Sequence, residues 1–176
     1  MLPTVHARVG DELYVHGAVA NRMFGTLASG ANVCVTVTLL DGLVLARAAF
    51  KHSMNYRSVV ILGTARVLTA RDEKLSAMLA VVEHVLPGRA AQVRAPNERE
   101  LNATTVLSLP ITEASAKIRS GPPLDAEEDH ALRVWAGVLP LHLAALPPVA
   151  EPHLPDGVAV PETLTSWSRG AARTRR

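Results

Sequence analysis

The 176 residues are 48% hydrophobic and 19% charged, the balance of an ordinary globular chain long enough to bury a core. A net charge of +2 and an aromatic content of 3% argue against a nucleic-acid binder, which needs a basic surface and stacking platforms. No apolar run reaches the ~18 residues of a membrane helix and no charged start leads into an export signal, so the expectation is one compact cytoplasmic unit with no membrane partner.

In chain order, Leu2 to Val9, Gly10-Asp11 and Glu12 to His16 read as a hairpin. Ala18 to Ser29, with Val19, Met23 and Leu27 at helical spacing and Gly30 as a stop, reads as a short helix. Val33 to Leu40, Asp41-Gly42 and Leu43 to Phe50 predict a second hairpin, with the single cysteine, Cys34, buried and inert in its first arm. Arg57 to Thr69 predicts a central strand whose Gly63 marks a bulge or a close backbone approach. From Arg71 a helix is expected, with Leu75, Met78, Leu79, Val82 and Val85 on one face and Pro87-Gly88 ending it.

Thr104 to Ile111 and Leu132 to Leu143 are the last strand candidates. Between them, Gly121-Pro122-Pro123 and the acidic Asp125, Glu127, Glu128 and Asp129 read as a surface loop. Beyond Leu146, prolines and the basic Arg169, Arg173, Arg175 and Arg176 predict an extended tail over 146–176. Short strands, frequent turns and two helices indicate a mainly β chain with α additions, closed or nearly closed into a small antiparallel barrel.

Three segments hold the polar chemistry. In Tyr14 to Arg22 a strand end meets a helix start, where free N–H groups, Asn21 and Arg22 suit a phosphate; the alternative is a solvated arginine, and a hydrogen-bonded structural role for His16. Lys51 to Ser58 feeds the donors Asn55, Tyr56, Arg57 and Ser58 into an apolar strand. It reads either as a ligand-binding rim or as a hairpin turn with Arg57 paired to a surface carboxylate. Val134-Trp135-Ala136-Gly137 carries one of two tryptophans, a residue more often core than cofactor contact. No metal-ligating cluster is recognised.

Val33 to Gly42, Asn55 to Val60, Ala114-Ser115-Ala116-Lys117 and Val134 to Gly137, in this order, resemble the flavin-nucleotide-binding subgroup of the split-barrel proteins related to pyridoxamine 5′-phosphate oxidase. The resemblance covers residues 2 to about 143 and defines a domain over 1–145. It implies a homodimeric split β-barrel holding flavin mononucleotide (FMN), with two sites per dimer. It places a strand at Pro3, Thr4 and Val5 beside the isoalloxazine, His16 and Gly17 bordering the flavin, and Asn21 and Arg22 on its phosphate. Asn55, Tyr56, Arg57 and Ser58 make further contacts, and Trp135 reaches the site across the dimer.

Family members usually carry a helix and a first strand before the segment equivalent to Leu2, so an open barrel edge is expected here, either covered by dimerisation or left by a truncated start. His130 stands where tyrosine is common, and no counterpart of the oxidases' arginine-containing C-terminal element follows Pro140, which argues against that particular oxidase activity. The expected function is a flavin-dependent oxidoreductase with a small-molecule substrate or electron donor, His16 being the candidate for proton handling. The alternatives are a non-catalytic flavin module or cofactor-free dimer, and, more weakly, a haem-binding barrel.

Overall fold

The computed structural model describes residues 2–167, and the arginines expected to make a basic tail end lie outside them. Contacts group the chain into two compact units. The first comprises the chain up to Val33, Leu62–Glu113 and the chain from Ala145; the second comprises Cys34–Ile61 and Ala114–Ala144.

The first unit is built on a sheet of order β1-β2-β6-β5. β1 (His6–Val9) and β2 (Glu12–Ala18) form the predicted hairpin, in register from His6↔Val15 to Val9↔Glu12. Its turn needs a left-handed residue, supplied by Gly10 at φ 59°, and Arg8 braces it by donating to the Gly10 carbonyl and the Asp11 carboxylate. β2 also pairs antiparallel with β6 (Thr104–Pro110), and β5 (Arg66–Val67) closes the other side of β6.

Strand alternation divides this sheet cleanly. Leu13, Val15, Leu107 and Leu109 face one way, and the helix α1 (Arg22–Ala28) brings Phe24, Met23 and Leu27 to Val15 and Leu107. Tyr14 and Val106 face the other way, with Leu68 and with Ala77 and Met78 of α2 (Arg71–Val85). α2 buries Ala77 and Val81, whereas Val85 of the predicted apolar face is exposed. Residues 75–82 are nearly all apolar, so spacing did not define one stripe. A short helix absent from the sequence reading, α3 (Glu98–Asn102), is held by a capping box in which Asn97 and Glu100 exchange backbone hydrogen bonds.

The second sheet has the order β7-β4-β3-β8. β3 runs unbroken from Asn32 to Leu45, which overturns the hairpin expected at Asp41-Gly42. Gly42 lies instead against β8 (Gly137–Pro140), where an added Cβ would stand 3.1 Å from the Leu139 carbonyl oxygen. Cys34 is exposed, because on this part of β3 exposed and half-buried residues alternate and none is fully buried. β4 (Ser53–Thr64) is an inner strand as expected, and Gly63 is a point of close approach, 3.0 Å from Leu109 for an added Cβ.

The outer strand β7 (Glu113–Arg119) was not anticipated, and the strand expected over Leu132 to Leu143 is confined to Gly137–Pro140. Each sheet keeps two outer strands, so the hydrogen-bonded pairing among the described residues gives two open sheets rather than one closed ring. Residues 141–161 have no regular structure, and the short α4 (Glu162–Thr165) follows within the stretch expected to be extended.

Candidate functional site

In the first unit the predicted residues cluster around the end of β2. Gly17 lies beneath the Phe24 ring, where an added Cβ would be 2.6 Å from Cδ2 and Cε2; the absence of a side chain therefore lets α1 dock. His16, directly opposite Val106, points to the other face, the side covered by α2. Its Nδ1 is buried without a hydrogen-bond partner among the described residues. His16 and Gly17 are adjacent in sequence, but their Cβ directions diverge.

Asn21 is the N-cap of α1: Oδ1 accepts from the N–H groups of Met23 at 2.9 Å and Phe24 at 3.4 Å. Two of the free amides that suggested an anion site are thereby satisfied within the chain. Arg22, the first helical residue, is exposed, and among the described residues its guanidinium has no ion-pair partner. Pro3, Thr4 and Val5 precede β1 as an exposed extended segment and do not form the expected strand; the Thr4 hydroxyl donates only to the neighbouring Val5 carbonyl.

In the second unit the residues from Asn55 to Ser58 sit on β4 with most of their polar atoms engaged. The buried Asn55 donates from Nδ2 to the Gly121 carbonyl at 3.1 Å and accepts from Arg119 Nη1 at 2.5 Å. Arg57 grips Asp41 with two parallel bonds, Nε–Oδ2 2.9 Å and Nη2–Oδ1 2.8 Å, and this carboxylate pushes its pKa higher still. The surface-carboxylate reading of Arg57 is the one realised. Ser58 shares a 2.8 Å hydroxyl contact with Thr38, and Tyr56 is half-buried. Trp135 is 67% exposed and precedes β8, with its ring against Gly137, so the core reading of this tryptophan is not realised.

Sequence reading missed the most buried charge of this unit. Asp125, placed among solvated acids, has a side chain only 1% exposed and receives both the Arg47 main-chain N–H at 3.0 Å and its guanidinium at 2.8 Å. Burial pushes the Asp125 carboxyl up, but these two hydrogen bonds outweigh it and hold the group below its ordinary value. The one available signal was Arg47 itself, an arginine closing an apolar run. Elsewhere in the unit, His130 lies 3.8 Å from Glu127, at an exposed position.

The chemistry of the two groups differs. A phosphate requires a cation that is not already neutralised, and Arg22 meets that condition whereas Arg57 and Arg47 are paired. The exposed main chain of 3–5 supplies donors and acceptors for a polar ring edge, and the exposed Trp135 supplies an aromatic face. Among the described residues no cluster of three or more His, Cys, Asp or Glu is disposed to hold a metal ion, and no helix is long and apolar enough to cross a membrane.

No curated protein matches the chain. Among solved structures it is similar to the flavocytochrome Anf3 from Azotobacter vinelandii, with 41% identity and a TM-score of 0.88 over 96% of this chain and 78% of that one. It is likewise similar to the FAD and haem binding protein from Mycobacterium smegmatis, with 40% identity and a TM-score of 0.89 over 93% of this chain and 80% of the other. The pyridoxamine 5′-phosphate oxidase profile matches residues 1–118, two thirds of the chain and every predicted site residue except Trp135, and the chain therefore belongs to the pyridoxamine 5′-phosphate oxidase family.

Proposed function

We propose that this chain is a flavin-binding redox protein that takes FMN and works as a homodimeric split barrel, acting on a small-molecule substrate or electron donor in the cytoplasm. The observation that carries the reading is the family match across 1–118, which spans both polar clusters. A bound flavin supplies the hydride or electron transfer, and the protein contributes binding, orientation and electrostatics. In this reading Arg22 grips the phosphate, and Asn21 serves it indirectly by fixing the helix start that presents Arg22. Main-chain groups of Pro3, Thr4 and Val5 meet the polar ring edge, with Gly17 beside it, and Trp135 stacks from the second copy.

Asn55 and Ser58 keep β4 in place for Tyr56 and Arg57 to approach the ring. His16 faces the α2 side of the first sheet, so its proton-handling role applies to a substrate reaching that side, not to the phosphate on Arg22.

The test is a titration of purified apoprotein with FMN, followed by flavin fluorescence, for the natural chain and Arg22→Ala. Losing one charge-assisted contact should weaken binding about tenfold to hundredfold; undiminished affinity removes Arg22 from the site. Anaerobic reduction by a nicotinamide nucleotide, seen as bleaching of the visible flavin bands, separates an enzyme from a passive carrier.

A second reading adds haem, and one finding favours it: the two neighbours described above are named for haem as well as flavin chemistry. Haemin titration giving a sharp Soret band at one equivalent supports it, whereas a featureless, unsaturable increase sinks it. FAD enters the same titrations as the competing flavin, because one neighbour is named for it.

A further inference from the structure

Two histidines of the first unit meet where β1 begins and α2 ends. His6 is the first residue of β1 and His84 stands in the last turn of α2; their rings lie with centroids 4.9 Å apart and planes inclined by 42°. Both residues are half-buried, so each is held by packing and still reached by solvent. The elements that carry them are fixed. Ala7, next to His6, is buried, and so is Val81, one helical turn before His84. At its other end α2 is fastened by Glu73 on Arg66, by Arg71 on Glu98 and by the Lys74 ammonium on the Leu101 carbonyl.

The spacing of the two rings is that of a chelating pair. A Zn²⁺ ion sits about 2.0–2.1 Å from an imidazole nitrogen and therefore about 3.2 Å from the ring centre. Two imidazoles on adjacent corners of a tetrahedron then have centres about 5.2 Å apart, and at the right angle of a square or octahedral site about 4.5 Å apart. The observed 4.9 Å falls between these values. The outer torsion of a histidine moves in a broad well, so the nitrogen edges can turn toward a common point without moving the backbone.

We propose that His6 and His84 together bind one divalent late first-row transition-metal ion, of the Zn²⁺ class, which ties the start of β1 to the end of α2. Imidazole is a favoured ligand of such ions. The neighbouring charges leave the site to the two rings. Arg8, two residues along β1, donates to the Gly10 carbonyl and the Asp11 carboxylate, and both oxygens of Glu83 accept main-chain N–H groups, from Gly88 and Ala90. Among the described residues no third His, Cys, Asp or Glu completes a larger cluster. Water therefore fills the remaining positions, and the ion is exchangeable: it stiffens a contact that the fold already makes, unlike a closed structural site with four protein ligands. Flavin binding does not enter, since neither histidine is among the residues that would hold it.

Isothermal titration of the chelator-stripped full chain with ZnCl₂ at neutral pH tests this. The natural chain should take up one equivalent with a micromolar dissociation constant. His6→Gln and His84→Gln should each weaken uptake at least tenfold, while His153→Gln, in the irregular segment 141–161, leaves it unchanged. Absence of saturable uptake overturns the site, and so does uptake that ignores both substitutions, which would mark an adventitious ion only. A second measurement needs no variant: of the seven imidazoles, those of His6 and His84 should be the first whose ring-proton resonances move as Zn²⁺ is added, with slower amide exchange at 6–9 and 81–85. Movement that begins at other histidines overturns the proposal.

Discussion

Gly17 and His16 show how strictly a strand sorts its side chains. One residue of sequence puts the glycine under Phe24 and the histidine on the α2 side, so a ligand clamp drawn from both as neighbours does not follow from their adjacency. Gly17→Ala would set a Cβ 2.6 Å from two ring carbons, forcing Phe24 to move. We expect a loss of about 1–3 kcal/mol in urea unfolding, and a neutral result would show that α1 can shift freely.

His6 offers a pH test. Its ring meets His84 with centroids 4.9 Å apart, and burial lowers its pKa below the ordinary 6.5. A depressed histidine binds fewer protons folded than unfolded, so its contribution is full above pH 6.5 and is lost as the pH falls through the folded value. The natural chain should therefore lose stability on acidification below pH 6.5, and His6→Gln should flatten that slope; identical slopes would remove His6 as the cause.

Local signals failed where an element's partner lay far away in sequence. Asp-Gly between two β-prone runs is a strong turn signal, yet Gly42 has no positive φ and β3 continues through it. The glycine is needed because β8 passes within van der Waals reach, a requirement invisible without the pairing of Gly42 with Pro140. Gly42→Val should cost about 1–3 kcal/mol by overpacking against β8, read as a lower denaturation midpoint; an unchanged midpoint would mean that β8 yields without loss.

β7 was missed because it carries no periodic signal of its own. Its residues are small, polar or exposed throughout, so no alternation marks it, and only hydrogen bonding to β4 makes it a strand. The helix α3 left a readable trace, Asn97 three residues before Glu100. Glu100 is held down to about 2 by the Arg94 guanidinium and the Asn97 N–H. Asn97→Ala should remove the cap and destabilise by about 1 kcal/mol, with faster amide exchange confined to 98–102 as the local signature.

Binding of a flavin to the folded chain alone must raise its stability by mass action. At a free concentration one hundred times the dissociation constant the gain is about 2.7 kcal/mol, visible as a higher melting temperature with FMN than without. A melting temperature indifferent to FMN and FAD at such concentrations would contradict the proposed function.

Much was settled by the chain's own local chemistry. The first hairpin with its left-handed Gly10, the helix ending before Gly30, the long helix from Arg71 and the mainly antiparallel character all follow from turn residues, caps and periodicity, which act over a few neighbours. The ordered motifs from Val33 to Gly137 carried the family resemblance for the same reason, since residue types survive without knowledge of contacts. Tertiary structure alone decided that β3 is one strand, that Asp125 is buried on Arg47, that Arg57 is paired to Asp41 while Arg22 has no ion pair among the described residues, and that His16 and Gly17 face apart. Those outcomes depend on which groups distant in sequence compete for one partner, and burial and pairing are properties of that competition, not of any residue by itself.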